Sequence, residues 1–180
     1  MKKKKILIAG SSGLIGRQLI AFFDTVGHDV WRLVRKEPKG NQIFWKPSEG
    51  KINPEDLEGF DAVIHLAAAH HDFGISEQTF HDVNVGGMTN VCDSMQQHGV
   101  EKLCFFSTVA LYGKQDRPPT ETTIPKPNSP YGATKLMVEN ILRDLFSSEP
   151  GWSIGILRYF NPVGAHESGL IGEDPKDIPN

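Results

Sequence analysis

The chain has 180 residues, of which 38% are hydrophobic and 23% charged, and its net charge is −3. This composition suits one globular domain that needs no disulfide or metal to hold its core, and the lack of a basic stripe argues against a nucleic-acid surface. Lys2 to Lys5 precede an apolar run that is too short for a signal peptide or a membrane span, so they are interpreted as a solvated start. Cys92 and Cys104 show no metal-ligand spacing and favour a reducing cytoplasm.

Apolar runs alternate with helical patterns along the chain. "KILIAG" predicts a buried strand, "LIGRQLIAFFDTVG" an amphipathic helix that ends at Gly27, and "HDVWRLV" a second strand. Two more buried strands, "DAVIHLAA" and "KLCFFS", stand on either side of a helix over about Ser76 to His98. A helix from Ser129 to Phe146 precedes the strand "WSIGILRYF". The pattern predicts one α/β domain over residues 1–180, a doubly wound parallel sheet of the Rossmann type.

Three glycines, Gly10, Gly13 and Gly16, lie where the first strand turns into the first helix. A helix N-terminus offers unpaired N–H groups to a pyrophosphate, and glycine lets the backbone approach it closely. A glycine-rich turn without a ligand is the alternative, but strand, turn and helix together favour a dinucleotide site. The expected contacts of this turn are Gly10, Ser12, Gly13, Leu14, Ile15 and Gly16.

The end of the second strand bears on the choice of cofactor. An acidic residue there would bind the ribose 2′-OH of NAD, but the position is Val34, followed by Arg35 and Lys36. The two cations could pair with a 2′-phosphate or be solvated surface. We expect NADP or NAD, with NADP favoured and Arg35 as a cofactor contact.

"SPYGATKL" places Tyr131 and Lys135 four residues apart on one helix face. The Lys135 ammonium is expected to lower the pKa of the phenol, which makes Tyr131 a candidate general base. A hydroxyl at the end of the preceding strand, Ser107 or Thr108, would hold the substrate oxygen. A Tyr-x-x-x-Lys pair also occurs by chance on many helices, so the glycines and the strand-end hydroxyls are needed to support it.

These motifs, with "NVGG" and "FFSTVALYG", resemble the extended short-chain dehydrogenases/reductases over essentially the whole chain. The resemblance implies that Tyr131 is the base, that Lys135 also hydrogen-bonds the nicotinamide ribose, and that Thr108 is the catalytic hydroxyl. It implies a structural and proton-relay role for Asn84. The other cofactor contacts that it implies are Leu66, Ala67, Ala68 and Tyr159, and His70 and His71 are expected near the cofactor.

Asn128 to Asn180, with "LRYFNPVGAH" and "IPN", is similar to the UDP-glucose 4-epimerase branch of that family. The resemblance implies substrate contacts from Ser107, Thr108, Tyr131, Phe160 and Asn161. It also implies that residues 156–180 begin a substrate-binding region whose smaller C-terminal domain is absent. The absent acid after the second strand departs from that branch and resembles NADP-leaning relatives.

The resemblance implies an enzyme that epimerises a nucleotide sugar through a transient ketone. An NADP-dependent reductase or dehydratase, and a non-catalytic dinucleotide-binding module, remain alternatives. Scattered histidines have no zinc-site spacing, so no metal is expected. No membrane or nucleic-acid partner is expected, and the helices at Ser76 to His98 and Ser129 to Phe146 could form a homodimer or pack internally.

Overall fold

A parallel sheet is the centre of the computed structural model, which describes residues 2–50, 52–70, 74–164 and 168–170. Within those residues six strands form the sheet in the order β3-β2-β1-β4-β5-β6, and every neighbouring pair is parallel. This is the doubly wound order, and it confirms the predicted fold class. The strands are β1 (Lys5–Ala9), β2 (Asp29–Val34), β3 (Gln42–Phe44), β4 (Ala62–His65), β5 (Lys102–Thr108) and β6 (Ser153–Tyr159).

The helices follow the predicted alternation. They are α1 (Leu14–Thr25), α2 (Glu77–Phe80), α3 (Gly87–Gln97) and α4 (Pro130–Ser148), and a π-helical segment (His81–Gly86) joins α2 to α3. Short 3₁₀ turns cover Pro54–Leu57 and Val109–Tyr112. The side chain of Ser76 caps α2, and that of Ser129 caps α4 by accepting a hydrogen bond from the Gly132 amide.

The core lies on both faces of the sheet because successive strand residues point to opposite sides. Ile6 and Ile8 of β1 pack with Val30 against α1. Leu7 and Ala9 of the same strand belong to the larger cluster, which contains residues of α3 and α4. The predicted buried strands are therefore covered on both sides, as their continuous apolar runs indicated.

Two features differ from the sequence-based expectation. β3 was not predicted; it is three residues long and only Ile43 is buried. The lysine-rich start is not fully solvated, because Lys4 pairs with Asp61 at 2.6 Å and Lys5 begins β1. The Lys5 ammonium lies 4.1 Å from the ring centroid of Phe60, so a cation–π contact stabilises the position of this side chain at the end of the lysine run.

The strand order reverses between the neighbouring strands β1 and β4. From β1 the chain continues to β2 and β3 at one edge of the sheet, and from β4 it continues to β5 and β6 at the other edge. Ligands of doubly wound folds bind outside the carboxyl ends of the strands at such a point. Within the described part of the chain, no helix has the length and apolarity to cross a bilayer.

Candidate functional site

A cleft of about 590 Å³ opens at the carboxyl ends of β1, β4, β5 and β6. Its walls come from the glycine turn before α1, the segment after β4, the end of β5, the start of α4 and the segment after β6. The lining residues are Gly10, Gly13, Leu14, Ile15, Gly16, Leu66, Ala68, His70, Phe80, Thr108, Val109, Ala110, Ser129, Pro130, Tyr131, Lys135, Tyr159, Phe160, Asn161 and Pro162.

The three glycines of the first turn differ in their structural surroundings. Gly10 has φ +85°, and a Cβ there would lie 2.7 Å from the Ala67 amide nitrogen. Gly16 is buried, and a Cβ there would lie 2.8 Å from the Cα of Ser11. Gly13 is the N-cap of α1 and lines the cleft, and a Cβ there would meet only the Gly10 carbonyl oxygen, at 3.6 Å.

The N-terminus of α1 therefore fits an anionic group. Gly13 supplies no side-chain cap, and the first amides of a helix have no intrahelical carbonyl partner. The helix dipole adds positive potential at the same place. A pyrophosphate can approach this backbone because no Cβ stands in front of it.

Tyr131 and Lys135 both line the cleft from one face of α4. The pKa of Tyr131 is raised to about 12, first by burial and then by Tyr159, while a side-chain hydrogen bond with Thr108 partly opposes the shift. The expectation that Lys135 lowers this pKa is wrong, because burial dominates and the net shift is upward. A positive charge near the hydroxyl would be needed to lower this pKa and favour the phenolate that acts as a base.

Lys135 is 2% exposed, and its ammonium is held on β5 rather than on the phenol. Nζ donates a hydrogen bond of 2.7 Å to the carbonyl oxygen of Phe106 and lies 6.0 Å from the ring centroid of Tyr131. Burial lowers the pKa of Lys135 to about 7, although the Glu139 carboxylate acts in the opposite direction.

The end of β5 separates the two candidate hydroxyls. Thr108 lines the cleft, pairs in register with Tyr159 of β6, and accepts a hydrogen bond from the Ala110 amide. Ser107 is fully buried, and its hydroxyl donates a hydrogen bond of 2.6 Å to Glu139 Oε1. Ser107 does not line the cleft, because neighbouring residues of a strand point to opposite faces.

The segment after β4 contributes Leu66 and Ala68 to the cleft, whereas Ala67 packs against the core. Asn84 lies behind this segment and is buried. Its amide accepts a hydrogen bond from Ala69 N at 2.7 Å and donates one to Thr134 Oγ1 at 3.0 Å. Asn84 therefore ties the segment to α4, and it is not among the residues that line the cleft.

The remaining candidates divide in the same way. Tyr159, Phe160 and Asn161 line the cleft after β6, as does His70, while His71 lies outside the described residues. Ser12 and Arg35 are exposed and are not part of the lining. Among residues 2–50, 52–70, 74–164 and 168–170 no group of three metal-ligating side chains could hold an ion.

The model of the NAD-dependent epimerase/dehydratase family matches residues 6–177. The chain belongs to this family. Among curated family members, a UDP-glucose 4-epimerase of Neisseria meningitidis is 36% identical, with 98% of the chain aligned to 58% of the relative. UDP-glucose 4-epimerase 4 of Oryza sativa is 47% identical over 98% of the chain and 54% of its own length. The chain thus spans a little over half the length of these relatives.

Solved structures of UDP-glucose 4-epimerases share the fold of this family member. The enzyme of Bifidobacterium longum, in complex with NAD+ and UDP, superposes with a TM-score of 0.81 at 32% identity and covers 97% of the chain with 58% of its own. The enzyme of Stenotrophomonas, with bound NAD and formylated UDP-arabinopyranose, gives a TM-score of 0.84 at 32% identity, over 98% of the chain and 58% of its own.

Sequence reasoning missed one group of residues beside the cleft. Glu139 of α4 is fully buried and pairs with Arg158 of β6 at 2.6 Å. The spacing of Glu139, four residues after Lys135 on the same helix face, was the available signal. Its partners could not be identified, because they lie on other elements. Phe80 and Pro162 of the lining were missed for the same reason.

Proposed function

We propose that the cleft binds a nicotinamide dinucleotide and that the protein epimerises a nucleotide sugar there. The observation that carries this proposal is convergence: Thr108, Tyr131 and Lys135 meet the α1 glycine turn in one cleft. The similarity to UDP-glucose 4-epimerases over 98% of the chain supports the reaction class.

The glycine turn would hold the pyrophosphate at the N-terminus of α1. Lys135 would donate a hydrogen bond to the nicotinamide ribose after leaving the Phe106 carbonyl oxygen. Leu66 and Ala68 would cover the bound dinucleotide from the segment after β4, and Tyr159 would lie beside the nicotinamide. When bound, the nicotinamide ring supplies a reversible acceptor for hydride.

Tyr131 would transfer the proton in this reaction. As the phenolate, Tyr131 would take the proton of the sugar C4 hydroxyl, and the phenol so formed would return it after the 4-keto sugar has presented its other face. Thr108 would hold the same oxygen, and Phe160 and Asn161 would contact the nucleotide sugar. No electron or proton is gained or lost overall, since hydride and proton both return to the sugar.

We also infer a preference for NADP over NAD. Val34 ends β2 where a carboxylate would bind the ribose 2′-OH, and the next two residues, Arg35 and Lys36, are exposed cations. Structures of several relatives contain NAD. The inferred preference for NADP therefore rests on the residues at the end of β2 in this chain and not on those relatives.

Two further parts of the proposal concern context. Cys92 and Cys104 are both free, which fits a reducing cytoplasm. Burial, followed by the charge of Asp93, raises the pKa of the Cys92 thiol to about 12.

A homodimer through α3 and α4 is proposed from the exposed Met137 of α4. Sedimentation of the purified chain tests this second part.

The decisive experiment supplies UDP-galactose with NAD or NADP and measures UDP-glucose by chromatography. The proposal expects conversion with no net reduction of the dinucleotide, and none with Tyr131→Phe, which keeps the fold and the affinity for dinucleotide. Net formation of reduced dinucleotide would identify a dehydrogenase instead. Dinucleotide binding without any change in sugars would leave a binding module and contradict the epimerase proposal.

A further inference from the structure

Glu139 is a fully buried carboxylate that lies outside the cleft lining. It accepts hydrogen bonds from Ser107 Oγ at 2.6 Å, from Arg158 Nη2 at 2.6 Å and Nε at 2.9 Å, and from Arg143 Nη2 at 3.1 Å. Arg158 Nη1 also donates to the Tyr112 hydroxyl at 2.9 Å. So dense a set of charge-assisted hydrogen bonds around one side chain fixes its geometry.

Each main partner of Glu139 stands next to a residue of the cleft. Ser107 precedes Thr108 on β5, and Arg158 precedes Tyr159 on β6. Glu139 itself follows Lys135 by one helical turn on α4. A displacement of the carboxylate would therefore shift α4, β5 and β6 relative to one another at the carboxyl end of the sheet.

The charge of Glu139, like its hydrogen bonds, affects the residues of the cleft. Burial alone would raise the pKa of this carboxyl, but the hydrogen bonds from Arg158 and Ser107 outweigh burial and lower it. The ionised carboxylate favours the protonated form of Lys135, whose pKa burial has lowered to about 7. His65 of β4 also faces Lys135 and is itself neutral in the fold, and Tyr131 is the other titratable group on that helix face.

We propose that Glu139 is a positioning residue of the site: through Arg158 and Ser107 it sets the spacing of α4, β5 and β6, and so the place of Lys135 and Thr108 in the cleft. This inference rests on the proposed dinucleotide site, because Lys135 acts on that ligand. It adds a residue that touches neither cofactor nor substrate. Its loss would change how the dinucleotide is bound and at which pH.

The test measures the Kd of NAD and NADP by calorimetry from about pH 5.5 to pH 9. The affinity of the wild-type chain for the dinucleotide should fall as pH rises past about 7, because the Lys135 ammonium then loses its proton and its positive charge. Glu139→Gln should move this bend to lower pH, since a carboxylate that raises the pKa of Lys135 has been removed. Lys135→Met should abolish the bend, which assigns it to that ammonium. Asp144→Asn is the control, because it removes a carboxylate from the exposed face of the same helix.

The outcomes separate the two proposals. A wild-type chain that binds neither dinucleotide refutes the proposed function before any variant is compared. Weaker binding by Glu139→Gln at every pH, with an unmoved bend, would reduce Glu139 to a structural residue and overturn the inference. If Glu139→Gln does not fold, Glu139→Asp keeps the charge on a shorter side chain. It should lower affinity severalfold with the bend in place, and unchanged affinity would count against the positioning role.

Discussion

The ammonium of Lys135 donates a hydrogen bond of 2.7 Å to the carbonyl oxygen of Phe106, so a charged group of α4 is anchored on β5 inside the fold. Its ring contact with Phe105, at 4.5 Å from the centroid, adds a second favourable interaction. Neither contact replaces the water lost on burial, because the pKa of Lys135 still falls to about 7. Burial of this lysine therefore costs the fold stability near neutral pH.

Lys135→Met should therefore stabilise the ligand-free chain while it weakens dinucleotide binding. We expect a higher free energy of unfolding near neutral pH, because burial lowers the pKa of Lys135 to about 7 and thereby costs the folded state stability that an apolar side chain does not cost. The folded state binds fewer protons at Lys135 than the unfolded state between about pH 7 and pH 10.5. Wild-type stability thus rises with pH in that window, and the advantage of the Met variant should shrink.

Urea unfolding at several pH values checks this prediction. Lys126→Met, at an exposed position, serves as the comparison. A Met variant at position 135 that is less stable than wild type at neutral pH would contradict the argument from burial.

His65 should make the fold sensitive to acid. It is 1% exposed between Trp45 and Phe105, and burial, followed by the charge of Lys135, lowers its pKa to about 3. The unfolded chain takes up a proton near pH 6.5 while the folded chain does not, so stability is lost as pH falls from about 6.5 toward 3. The loss due to this residue should be about 2 kcal/mol by pH 5.

His65→Leu removes that proton uptake, so the difference in unfolding free energy between pH 7 and pH 5 should shrink by about 2 kcal/mol. His98→Gln, at a half-buried position at the end of α3, should leave the difference unchanged. An equal acid sensitivity in wild type and His65→Leu would show that another group is responsible.

Local patterns made most of the fold predictable. β1, β4 and β5 are continuous apolar runs, and Ser76 and Ser129 are capping residues that can be recognised in the sequence before α2 and α4. β3 escaped because three residues with one buried side chain give almost no periodic signal. Its place at the sheet edge follows from pairing with β2, which is a tertiary contact.

The candidate site divides along the same line. Tyr131 and Lys135 are four residues apart, so helical geometry alone predicts their common face. The choice between Ser107 and Thr108 depends on which side of β5 faces α4, and the sequence alone does not contain that information. The raised pKa of Tyr131 depends on burial by other elements, so the spacing alone gave the wrong sign.

Arg35→Ala should narrow the expected preference for NADP. A charge-assisted contact with a 2′-phosphate contributes about 1.5 to 3 kcal/mol, which corresponds to about tenfold or more in Kd. The affinity for NAD should change little, because NAD lacks that phosphate. Lys39→Ala removes an exposed cation from the same segment and should alter neither Kd. Calorimetric titration with both dinucleotides decides the matter, and tighter binding of NAD by the wild-type chain would refute the preference.

Gly13→Ala and Gly16→Ala should separate dinucleotide binding from folding. The new Cβ at Gly16 would lie 2.8 Å from the Cα of Ser11, and backbone atoms would have to move. We expect a loss of about 1 to 3 kcal/mol in unfolding free energy, as for other overpacked sites. At Gly13 the Cβ has room, with its nearest neighbour, the Gly10 carbonyl oxygen, at 3.6 Å, and the backbone φ of −74° suits alanine.

Gly13→Ala should therefore unfold within a few degrees of the wild-type temperature, yet bind NAD and NADP about tenfold or more weakly, because a methyl group stands where the pyrophosphate must approach the helix. Both dinucleotides should be affected equally, since they share that pyrophosphate, whereas Arg35→Ala acts on NADP alone. Thermal unfolding without ligand and calorimetric Kd values give the two readouts. Full affinity in a normally folded Gly13→Ala variant would remove the pyrophosphate from the N-terminus of α1, even if binding elsewhere in the cleft persisted.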